Sequence, residues 1–119
     1  MIRIVATLSG LALAAAFAPT PAAAHHGWGS YDSSTVLTIE APIVEASYAY
    51  PHCGIVLEHE GARWEIVLAP PSRMDRRGIA DGELEPGLTV KVEGYPSTVH
   101  PHEMRAERIT VNGRTVELR

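Results

Sequence analysis

One cysteine, Cys53, is all that the 119-residue chain holds, so no disulfide can close within it and the fold must stand on packing alone. Aromatic residues make up only 6% of the sequence, with a single phenylalanine, too few for an extended platform on which single-stranded nucleic acid would stack. Basic residues number 10 against 14 acidic ones, a formal net charge of −4. A general binder of nucleic acid or of anionic membranes needs a basic face, and this balance argues against both classes. There is no internal repeat, no low-complexity segment, no phosphate-cradling glycine loop and no dinucleotide fingerprint.

One apolar run stands out, at the start. Arg3 precedes 15 uncharged residues from Ile4 to Ala18, Pro19 breaks the run, and Ala22-Ala23-Ala24 follows with small residues at the two A-x-A positions. This is the pattern of a secretion signal, and it is shorter than the roughly 20 residues that cross a bilayer as a helix. Residues 1–24 are therefore expected to be cleaved, leaving a periplasmic or secreted protein with no stable membrane insertion. The 95 residues from His25 onward suffice for one small domain, and the loss of Arg3 takes its charge to −5. All six histidines, at 25, 26, 52, 59, 100 and 102, lie in that part.

Residues 25–35 have no apolar periodicity and read as a flexible, His-rich leader; residues 36–119 read as one β-domain. Val36 to Tyr48 is β-rich, with Pro42 marking an edge or bulge, and Tyr50 to Gly54 forms a turn or strand exit. Ile55–His59 and Arg63–Leu68 flank the tight Glu60-Gly61-Ala62 connection of a hairpin. Pro70-Pro71 stops the third strand, Ser72 is a candidate N-cap, and a short helix ends at Gly78. A strand over Leu88–Gly94, a loop over Tyr95–Glu103, a strand over Met104–Val111, an Asn112-Gly113 turn and a last strand from Arg114 follow. Three strands, one short helix and then two or three strands predict an all-β fold: a small OB-like Greek-key barrel of five or six strands, with the helix between the third and fourth. An immunoglobulin-like sandwich, the structural rival, needs about seven strands and has no use for that helix.

The leader His25-His26-Gly27-Trp28-Gly29-Ser30-Tyr31-Asp32, the Tyr50-Pro51-His52 segment, and Met104-Arg105-Ala106-Glu107-Arg108 with Asn112-Gly113-Arg114 resemble an uncharacterised secreted bacterial family, domain of unknown function six-one-five-two. Its members typically begin His-His-Ser-Phe and carry Asn-Pro-His, so Gly27 and Tyr50 depart from the pattern. The resemblance implies an exported small β-domain and leaves the mechanism to the residues.

Cleavage after Ala24 would set a free α-amine beside the imidazole of His25. The amine (pKa near 8) and the ring (near 6.5) both lose protons at modest cost to a divalent ion, and copper ranks highest among first-row metals at such a nitrogen site. His26 offers its amide and ring as a further donor. The other reading of this pair is a soluble start to the chain. A second constellation joins His52 and Cys53, between strands one and two, to His100, His102 and Met104, between strands four and five. These two connections flank the usual ligand face of an OB-fold. Three imidazoles would suffice for a site with one open position, with Cys53 or Met104 adding a soft sulfur; polar decoration of a loop is the alternative. Cys53 reads first as a buried apolar residue, with a soft metal ligand or a thiol that pairs with another molecule as the alternatives. Tyr48, Tyr50 and Tyr95 border the rim as possible stacking groups.

Catalysis has thinner support. No base or oxyanion motif accompanies Cys53, Glu58, Glu60, Arg63 and Glu65 follow the pattern of a solvated sheet face, and Arg73, Arg76 and Arg77 that of a solvated helix face. An extended leader of about ten residues reaches at most roughly 35 Å, while the first strand runs about 33 Å the other way. Two separate histidine sites, or a metal shared between chains, are therefore expected. The expected function is non-catalytic binding of a transition metal, copper foremost, through His25, His26, His52, His100 and His102. The runner-up is a cell-envelope interaction module that binds a protein or glycan with no physiological metal. Intact mass measurement of the exported protein should place its first residue at His25; a start elsewhere removes the amine chelate.

Overall fold

The computed structural model describes residues 28–119. Strands β1 (Leu37–Ser47), β2 (Gly54–His59) and β3 (Ala62–Val67) are followed by helix α1 (Pro71–Arg76) and then by β4 (Thr89–Pro96), β5 (Glu103–Val111) and β6 (Arg114–Glu117). They pair in the order β3-β2-β1-β4-β5-β6, and a parallel pairing of β3 with β5 closes the first five into a barrel. This is the expected OB-like architecture, with β6 added outside the closed ring and the helix between the third and fourth strands. Among the described residues no helix is long and apolar enough to cross a membrane.

The long first strand serves two neighbours. Leu37 to Pro42 pair with β4, and Ile43 to Ser47 pair with β2. Pro42, which has no N–H to donate, stands where one partner gives way to the other, and a bulge between Ile43 and Glu45 adds the bend a small barrel needs. The alternation of β1 sends Ile39, Ala41 and Ile43 inward. They meet Leu57, Ile66, Val90, Val92, Met104 and Ile109 in one core, and among the described residues no polar one is buried. The hairpin turns Glu60-Gly61 and Asn112-Gly113 have positive φ at both positions (51° and 76°; 50° and 76°). That is the type I′ geometry, which matches strand twist and favours glycine second.

Helix α1 plugs one end of the barrel with Met74, and Ile79 follows just beyond it; both are fully buried. Its start differs from expectation. The helix opens at Pro71, Pro70 occupies the cap position without a side-chain cap bond, and Ser72 lies inside the first turn. Proline at the first helical position costs no hydrogen bond and presets φ, so a polar cap is not needed. The Tyr48 hydroxyl donates to the carbonyls of Pro71 (3.1 Å) and Ile79 (3.1 Å), tying the end of β1 to the plug. Arg73 donates to the Leu118 carbonyl (3.3 Å) and Arg77 to that of Arg119. Two of the three arginines read as a solvated face thus brace the helix against the end of the chain.

The loop expected over Tyr95–Glu103 is shorter, because Tyr95 and Pro96 finish β4 and Glu103 begins β5. Gly94 makes this possible. It is buried at the β4–β5 bulge, where a Cβ would run into the carbonyl of Arg105 and lie 2.8 Å from the Ala106 Cα. Gly94→Ala is expected to lower stability by about 3 kcal/mol, read as a drop in the urea midpoint, whereas Gly61→Ala, which meets only open space, should cost less.

Candidate functional site

Two jaws and the wall between them form the candidate site. The β1–β2 loop holds one end. Its Cys53 N–H donates to the Ala69 carbonyl (2.8 Å) and its Cys53 carbonyl accepts from Leu68 (2.9 Å), so the loop is bound to the chain just past β3. Cys53 is 1% exposed, and burial pushes its thiol pKa up. Tyr50 stands out from the loop at 73% exposure, while His52 is half-buried.

The β4–β5 loop, Ser97 to His102, holds the other end. Ser97 Oγ accepts from the backbone N–H groups of Val99 (3.1 Å) and His100 (2.9 Å), and the Ser97 N–H donates to the Glu103 carbonyl (2.9 Å). His102 adopts a left-handed φ of 57°. Its carbonyl accepts from the Glu65 N–H of β3 at 2.9 Å, and its ring meets Trp64 edge-on with centroids 5.3 Å apart. His100 and His102 are both exposed.

A cleft of about 330 Å³ lies in the wall between the jaws. Val56 and Val67 give it an apolar floor, and Glu45, His52, Glu65 and Glu103 surround them. Gly54, opposite Val67, leaves the floor open. Arg63 offsets one of the carboxylates by pairing with Glu45 at 2.6 Å.

The two loops flank the wall and are tied to different points along the third strand and its exit. The His52 loop is bonded to Leu68 and Ala69, His102 is bonded to Glu65, and the intervening strand spans about 13 Å. Among the described residues no three histidine, cysteine, aspartate or glutamate side chains are grouped to hold a metal ion. Both candidate sulfur ligands face inward, with Cys53 at 1% and Met104 at 0% exposure. Of the three rim tyrosines only Tyr50 is presented to solvent; Tyr48 is engaged by the helix, and the Tyr95 hydroxyl donates to Glu107. His59, on the far end of β2, lies 3.7 Å from Glu60.

His25 and His26 lie outside the described residues, but the segment that follows them is described, and it docks. Trp28–Ser30 form one 3-10 turn, Tyr31 makes an isolated antiparallel bridge with Ser97, and the Asp32 N–H donates to the Pro96 carbonyl (2.9 Å). Thr98 donates to the Ser30 carbonyl from its N–H (2.8 Å) and from its hydroxyl (3.1 Å). Tyr31 is 7% exposed, and its hydroxyl donates to Glu103 Oε2 at 3.0 Å. A tight turn follows at Asp32, whose carboxylate accepts from Ser34 N–H (3.0 Å), Ser34 Oγ (2.5 Å) and Thr35 Oγ1 (2.8 Å), and the chain then continues along β4 in the same direction. Those bonds hold the Asp32 carboxyl below its usual pKa, Ser34 contributing most. The leader expected over 25–35 is therefore part of the fold from Trp28 on, and it lies against the β4–β5 jaw. The Asp32-Ser33-Ser34-Thr35 run was the signal for this turn, since aspartate followed by hydroxyl residues favours one.

A family model described as "Family of unknown function (DUF6152)" matches residues 12–104. The chain belongs to this family. The DUF6152 match takes in His25 and His26, the docked segment, both jaws and the cleft wall, and it stops at Met104, before most of β5 and all of β6. No curated protein matches the chain.

Burial, then the hydrogen bond to Glu103 and its charge, push Tyr31 up to about 12. The folded state holds this proton more tightly than the unfolded one, so the stabilisation is complete below pH 10 and is lost as pH rises towards about 12. Tyr31→Phe should flatten that alkaline decline in urea midpoints. At neutral pH it should cost about 1.5 kcal/mol for the lost bond to a carboxylate.

Proposed function

We propose that this DUF6152 member is an exported, non-catalytic β-domain that binds a transition metal, copper foremost, through histidine nitrogen. The observation that supports this most directly is the placement of His100 and His102. They stand exposed on one short, internally bonded loop, and the segment directly after His25-His26 is seated on that same loop. Ordering two side chains on a braced loop costs less entropy than ordering them on a free one. Imidazole and amine nitrogen suit Cu(II) better than most competing ions, and the buried Cys53 and Met104 leave the soft-sulfur donors that Cu(I) prefers out of the accessible set.

The cleft supports a second reading, an OB-like interaction module of the cell envelope with no physiological metal. Its apolar floor, carboxylate border and the exposed Tyr50 at the β1–β2 jaw suit a protein segment or a glycan.

Mature protein beginning at His25 should take up about one Cu(II) per chain in a calorimetric titration, and acetylating its α-amine should abolish that uptake. Protein isolated metal-free from copper-replete cells would favour the interaction module instead.

A further inference from the structure

We infer that the cleft between the jaws receives an arginine side chain carried on an extended segment of a partner protein. This rests on the interaction-module reading and names its partner. The register that closes the barrel carries the inference. Pairing of β3 with β5 sets Glu65 directly beside Glu103, and both border the cleft. Like charges on neighbouring strands work against the pairing that holds them there. Neither carboxylate is neutralised. Among the described residues Glu65 has no ion pair or side-chain hydrogen bond, and the Glu103 carboxylate accepts only the neutral hydroxyl of Tyr31, at 3.0 Å. Because the Tyr31 ring is buried, that bond holds Glu103 at the border instead of letting it swing away from Glu65.

The cations of this face lie elsewhere. Arg63, two residues before Glu65 on the same side of β3, reaches past β2 to Glu45 on β1 at 2.6 Å. Arg105 lies opposite Val67, beyond the two glutamates. The cleft therefore keeps an excess of negative charge at its Glu65–Glu103 side, over an apolar floor.

That combination selects the ligand. Val56 and Val67 offer an apolar strip to the methylenes of a long cationic side chain, and Gly54, opposite Val67, adds no side chain to obstruct it. A guanidinium carries five donors in a planar fork, enough to serve two carboxylates, and it gives up water more readily than an ammonium. A glycan is the poorer fit, because no tyrosine or tryptophan is among the residues that line the cleft. Between the bonds of the two jaws, at Glu65 and at Ala69, the wall runs about 13 Å, the length of about four extended residues. A peptide fills that length, whereas a free amine would occupy one end.

The test follows the amide resonances of isotope-labelled protein while the blocked pentapeptide Ala-Val-Arg-Val-Ala is added. Saturable shifts should centre on Gly54, Val56, Glu65 and Val67. The same peptide with citrulline in place of arginine keeps the shape and loses the charge, and it should bind about tenfold more weakly. Glu65→Gln should weaken the arginine peptide by a similar factor while leaving the urea midpoint unchanged or higher, since it relieves the like-charge contact. Glu58→Gln, on the same side of β2 but outside the cleft, removes an equal charge and should leave affinity within about twofold. Equal binding of the arginine and citrulline peptides, or equal effects of the two substitutions, would overturn the arginine site. Shifts with maltohexaose and none with the arginine peptide would also overturn it, leaving the interaction module as a glycan binder. No shift with either probe would overturn the interaction-module reading itself.

Discussion

The parallel pairing of β3 with β5 is the constraint on which the site depends. It involves three residue pairs, Glu65 with Glu103 through Val67 with Arg105, yet it converts an open five-stranded sheet into a closed barrel. Because β5 also runs antiparallel to β4, the connection between them has to cross the end of the barrel in six residues and deliver its last carbonyl to Glu65. The left-handed His102 is how the loop meets that demand. A slip of one residue would turn Met104 out of the core and Glu103 into it, so the register that closes the barrel also fixes the border of the cleft.

The same short loop has a second client. Its outer side accepts the segment Ser30–Asp32, while its inner end is bonded to β3. Tyr31 links the two roles, with a buried ring and a hydroxyl on Glu103, the first residue of β5. A chain segment without apolar periodicity is thus held by one buried aromatic, a backbone bridge and a compact turn. These are local features that no pattern of alternating hydrophobicity would register.

Much of the barrel was legible because its strands alternate and its turns use residues suited to positive φ. Ile39, Ala41 and Ile43, the Asn112-Gly113 turn and the prolines before α1 each place an element by simple steric or burial rules. The site was legible only in part. The flanking loops were identified from strand order, but strand order does not say at which end of β3 each loop is bonded. Glu65 read as one member of a solvated face because nothing local marks it as the neighbour of Glu103, 38 positions later. The docking of the leader was missed for a different reason: the end of β4 lies beside the start of β1, with Leu37 opposite Gly94, so the β4–β5 loop stands next to the leader rather than a strand length away.

The sealing of Cys53 under the β1–β2 loop bears on how the protein survives where it is proposed to go. An accessible thiol in an oxidising compartment would invite mixed disulfides with passing partners. Beside a cupric ion it would also donate electrons and feed radical chemistry. Here the sole thiol is screened from solvent, and burial disfavours its reactive thiolate. The domain can therefore mature without oxidoreductases, and it offers an oxidant no easy point of attack at sulfur along the barrel wall.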